Sequence, residues 1–102
     1  MDLLQGGGYA PITVILVSAP NPSTYRQAVV LTATVNSSGP TPTGYVIFYN
    51  GATSVGNAVV TNGVATLRWT LLPQGSDSIT ASYSGNASNS KSTSTILIQT
   101  VN

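Results

Sequence analysis

Five side chains in this sequence carry a formal charge: Asp2, Arg26, Arg68, Asp77 and Lys91. The chain contains no His, no Cys and no Glu. General acid–base chemistry needs a group that titrates near neutrality, and nucleophilic chemistry needs a base beside the nucleophile. Neither can be assembled from two isolated carboxylates, so the sequence reads as non-catalytic. Calcium takes several oxygen ligands, with carboxylates among them, and one Asp outside the N-terminal tail is too few. Without thiols there is no zinc site of the Cys type and no disulfide. No metal, cofactor or prosthetic group is expected.

Two further kinds of chemistry remain. Lys91 is the sole lysine and lies in a polar run with Asn86 and Asn89, "GNASNSK". An intramolecular Lys–Asn amide would need an acid to shuttle protons, and Asp77 is the one residue that could supply it. A solvated loop lysine is the plainer reading. Asn36-Ser37-Ser38 and Asn86-Ala87-Ser88 match glycosylation sequons, to which no role is assigned. A pole formed by the loops 37–43 and 85–91, with Asn86, Asn89 and Lys91 on it, is a candidate binding surface.

The remaining candidate is a contact surface. Residues 44–51 read "GYVIFYNG", with Tyr45, Phe48 and Tyr49 among only seven aromatic residues in the chain. A half-buried strand alternates apolar with polar side chains; this one is apolar or aromatic on both faces. If Val46 and Phe48 point inward, parity sends Tyr45, Ile47 and Tyr49 outward. That row reads either as cross-strand packing on a Ser/Thr-rich sheet or as a face that meets another molecule.

The elements that must position these residues are all strands. Ile12 to Ser18 is one, ended by the prolines of "APNPS". Residues 28–36 put Val29, Leu31, Ala33 and Val35 on one face. The 44–51 stretch follows the Gly/Pro loop "SSGPTPT" and is closed by Asn50-Gly51, which suits a two-residue hairpin turn. A weaker strand over 54–61 leads to a second Asn-Gly at 62–63. From Val64 to Leu72, Ala65, Leu67 and Trp69 share the core parity, leaving Arg68 exposed and apart from the tyrosine row. Residues 77–84 turn Ile79, Ala81 and Tyr83 inward, and 92–101 form the last strand. No helical period runs through ten or more residues. Seven short strands separated by turn chemistry predict an all-β, immunoglobulin-like β-sandwich of antiparallel strands in a Greek key, without a disulfide.

Composition sets the remaining bounds. At 102 residues this is one domain, with 41% hydrophobic residues, 5% charged and a net charge of +1. A typical soluble domain is about 25% charged; here 13 Ser and 14 Thr keep the surface polar. Scattered charges cannot build a basic stripe for phosphates, so nucleic acid is not an expected partner. No apolar run reaches the roughly 20 residues of a membrane span. "MDLLQGGGYA" has an acid where a signal peptide needs a basic region. Residues 1–10 read as a flexible linker or an extension docking on a neighbour, and 11–102 as the domain.

The segments "SAPNPSTYRQAVVLTATV", "PTGYVIFYNG", "NGVATL", "LPQGSDSITASYSGNASN" and "STSTILIQTVN" together resemble the bacterial Ig-like repeat family over residues 11–102. The resemblance implies a non-catalytic structural module, strung in tandem in bacterial cell-surface or secreted proteins, including those of cell adhesion. Its partners would be proteins or neighbouring Ig-like repeats. A rigid spacer or display unit is the first expectation. A binding module using the aromatic row or the loop pole is the second, and a subunit self-associating through sheet edges or residues 1–10 the third. This chain departs from the family pattern at Arg26, where Gly is common, and at Tyr45, Ile47, Arg68 and Trp69, where small hydroxyls are common.

Overall fold

The computed structural model describes residues 11–102. The segment 1–10, with its expected role as linker or docking extension, lies outside the described residues. Eight strands form two layers: β1 (Ile12–Ala19), β2 (Val29–Ser37), β3 (Tyr45–Asn50), β4 (Thr53–Val59), β5 (Val64–Trp69), β6 (Gly75–Tyr83), β7 (Ser92–Thr93) and β8 (Leu97–Val101). One sheet has the order β1-β2-β5; the other runs β4-β3-β6-β7, with β8 also pairing β6. All strand pairs are antiparallel. No helix occurs among the described residues.

Alternation along each strand builds the core. Val29, Leu31, Ala33 and Val35 of β2 face Val46 and Phe48 of β3 and Ile79, Ala81 and Tyr83 of β6, all buried. Trp69 and Leu67 pack at the edge of this cluster, as their parity with Ala65 predicts. Arg68 is exposed on the opposite sheet from the tyrosine row.

The turns confirm the chain's punctuation in one case and shift it in another. Thr61 and Val64 exchange backbone hydrogen bonds of 2.8 and 3.0 Å around Asn62-Gly63. Both central residues have positive φ, 53° and 79°, the geometry of a type I′ turn. At the other Asn-Gly, Asn50 pairs with Thr53, so the two-residue loop is Gly51-Ala52, one position on. Asn50 is held in the ladder, and its side-chain amide donates to Asp77 Oδ1 at 3.1 Å.

The expected single last strand is two. Ser94 interrupts it: its N–H donates to Ala81 O and its hydroxyl accepts from Ala81 N at 3.0 Å. A side-chain oxygen thus takes a place a carbonyl would occupy, and the strand resumes at Leu97. This is why eight strands are found where seven are predicted.

The two sheets leave four edges of unequal character. β4 carries a register shift opposite Phe48/Tyr49, where Val55 is the extra residue. β5 carries Arg68. Along β8, residues 23–25 run parallel to the strand: Ser23 N donates to Thr100 O at 2.8 Å, Asn102 N to Ser23 O at 2.7 Å and Tyr25 N to Asn102 O at 2.8 Å. Among the described residues, β1 pairs only with β2.

Candidate functional site

β3 lies inside its sheet, between β4 and β6, so its outward side chains stand on a broad surface. Tyr45 is 47% exposed, while Ile47 and Tyr49 are half-buried against their neighbours. The row is flanked by polar residues on the β6 side: Ile47 is opposite Ser82 and Tyr49 opposite Thr80. On the β4 side Tyr45 is opposite Val59, Ile47 opposite Asn57 and Tyr49 opposite Ser54. Val59 is 73% exposed and extends the apolar row to the sheet edge. The sequence reading missed it because cross-strand register is not written in either strand alone. Together Val59, Tyr45, Ile47 and Tyr49 form an apolar row ending in two strongly exposed side chains.

Ser84 holds the tyrosine end of the row. Its hydroxyl accepts from Tyr45 N at 3.1 Å, and its own N–H donates to Tyr45 O at 2.9 Å. Below it Tyr83 is buried and donates its hydroxyl to Thr43 O at 2.5 Å. Burial pushes the Tyr83 phenol above its usual range.

The 37–43 and 85–91 loops lie side by side, and the asparagines between them are engaged internally. Asn86 Nδ2 donates to Thr43 Oγ1 at 2.8 Å, and its Oδ1 accepts from Ser88 N and Asn89 N, each at 2.8 Å. Buried Asn89 donates to Pro40 O at 3.3 Å and accepts from Ser37 Oγ at 2.6 Å. The two amides therefore clamp the 37–43 loop to the 85–91 loop. A cleft of about 460 Å³ lies beside them, lined by Ser84, Gly85, Asn86, Asn89, Ser90 and Lys91. Lys91 is exposed on it.

Asp77 lies at the other end of the molecule. Along β6 it is six residues before Tyr83, about 20 Å at strand rise, while Lys91 follows the loop beyond Tyr83. The shuttle role considered for it with Lys91 is therefore excluded by distance. Asp77 is buried beside Asn50, and its Oδ2 has no hydrogen-bond partner among the described residues. Among those residues no three of His, Cys, Asp or Glu come together. Among the described residues the arrangement offers contact surface and hydrogen bonds.

The sequence profile of the bacterial Ig-like domain, group 3, matches residues 16–102. The chain belongs to that family. Among solved structures the Ig-like module is similar to one described as fibronectin(III)-like modules of Clostridium thermocellum CbhA. The TM-score is 0.67 at 21% identity, over 88% of this chain and 93% of that one. At that identity the likeness speaks for the fold. A comparison with curated proteins gives no significant match.

Proposed function

We propose that this Ig-like module is a non-catalytic structural unit of a bacterial cell-surface or secreted protein, acting as a rigid spacer between neighbouring modules. The observation that supports it is where the chain enters and leaves. Ile12 pairs with Ser37, at the pole of the 37–43 and 85–91 loops. Val101 pairs with Gly75, at the opposite pole. Copies joined in sequence are thereby placed end to end, and the two-layer core transmits force along the strands. The family's tandem use and extracellular setting fit this reading.

Joining two copies directly, Asn102 to Pro11, tests it. X-ray scattering should give a maximum dimension close to twice that of one module, with the single-module unfolding midpoint retained. A folded-back, compact pair would sink the spacer reading.

The exposed pairing of Tyr45 with Val59 favours a second role as a protein-contact face. The row lies on a sheet face, and at Tyr45 it adjoins the loop pole through Ser84.

A further inference from the structure

The β1 edge carries an inference about self-association. Val35 N donates to Gly63 O at 2.7 Å, away from β1. In an antiparallel pair a residue gives both backbone groups to its partner or neither. Val14, opposite Val35, therefore turns its N–H and C=O away from β2, and alternation does the same for Ile12, Leu16 and Ser18. None of these groups has a backbone partner among the described residues. Such a row is a template for another extended chain. The other edges are less open: β4 is bulged, β5 carries Arg68, and β8 is covered by residues 23–25. β1 has no charge, no proline and no bulge along its eight residues.

Its outward side chains point the same way. Ile15 is 51% exposed and Val17 54%. They continue inward across the sheet as Ile15–Thr34–Val64 and Val17–Thr32–Thr66, a surface of β-branched side chains. Its one charge, Arg68, lies on the far strand, opposite Val30.

We propose that β1 pairs antiparallel with β1 of a second copy of this chain, about a two-fold axis through Ile15. Residue 14 then meets 16 of the copy and 12 meets 18, so every outward-turned backbone group finds its complement, giving about eight hydrogen bonds. Inward residues meet inward residues, so both cores stay on one side of a continuous six-stranded sheet. The lack of charge argues for a copy rather than a charged partner. A two-fold axis sets the side chain on the axis against its own equivalent, where a charge of either sign would oppose itself. Ile15 sits against Ile15 of the copy and Val17 against Thr13. The two modules lie side by side with their poles reversed, leaving the end-to-end joints free.

Sedimentation across a concentration series of the full chain should show a monomer–dimer equilibrium. Ile15→Lys and Ile15→Glu should each weaken it on the order of tenfold, and mixing the two variants should restore a one-to-one dimer. That rescue distinguishes lost pairing from lost folding. The chain has no cysteine, so Ile15→Cys introduces one thiol. In the proposed register two such thiols fall at a non-hydrogen-bonded pair, Cα atoms about 4.5 Å apart, within disulfide reach. Oxidation should crosslink Ile15→Cys faster than the control Val59→Cys, although Val59 is the more exposed position, 73% against 51%. A monomer at every concentration, or equal crosslinking of both cysteines, overturns the proposal. Loss of the dimer on deleting residues 1–10 would also overturn it, since that segment would then be the pairing strand.

Discussion

Arg26 stands at φ 68°, where a Cβ crowds the backbone and glycine is at ease. Its guanidinium lies 5.4 Å from the centre of the exposed Tyr25 ring, a stack that offsets part of the strain. At ordinary positions alanine is the more stabilising residue. Here the order should reverse, with Arg26→Gly more stable than Arg26→Ala by about 1 kcal/mol in urea unfolding. Equal stabilities would mean that the backbone relaxes out of this region. Tyr83 makes a second argument at this scale. Its folded pKa is raised by burial, so the folded state holds the proton more tightly than the unfolded one. The associated stability is complete below the unfolded value near 10 and is lost as pH rises through the folded value. Tyr83→Phe should cost about 1 kcal/mol at neutral pH and flatten the fall in unfolding midpoint above pH 10. An unchanged alkaline slope would assign that loss elsewhere.

At the scale of elements, β3 separates two jobs residue by residue. Phe48 is fully buried between the sheets, and Phe48→Ala should cost about 3–5 kcal/mol. Tyr45→Thr, half in water, should cost less than about 1 kcal/mol. Chemical denaturation of the two variants checks this, and a Tyr45 loss as large as that of Phe48 would make it a core residue. This division was legible in advance because parity is a local property of a strand. So was the Asn62-Gly63 turn, whose positive φ values need those residue types. Other features depend on partners distant in the chain. Val59 joins the row only through the β3–β4 register, and the break at Ser94 exists only because Ala81 offers its backbone there. Asn86 and Asn89 look like free loop groups until the 37–43 loop is placed against them. The outward apolar side chains of β1 were visible in "ITVILVSA", yet their meaning depended on knowing that β1 is an edge.

At the scale of the whole molecule, one end of the sandwich is closed by its last strand. Buried Gln99 of β8 accepts from Ser18 Oγ at 2.5 Å and donates to Pro20 O at 2.8 Å and Ser23 Oγ at 3.2 Å. One amide thus joins the end of β1, the loop after it and β8. Gln99→Ala should cost more than its loss of packing alone, about 2–3 kcal/mol, because Ser18 and Ser23 each lose a partner in a buried setting. A cost under about 0.5 kcal/mol, read from the thermal midpoint, would mean that the hydroxyls find new partners.

The position of that strand also orders events during synthesis. Within the module, residues 18–25 are made early, yet their partners at 98–102 are made only at its end. The nascent chain therefore waits, with the edge of β6 unpaired along Gly75–Ile79, until the final residues of the module have been made. Closure becomes a single late event in each module. In a protein built from many such modules, a ribosome that pauses inside one would leave that one open while those already completed stay shut.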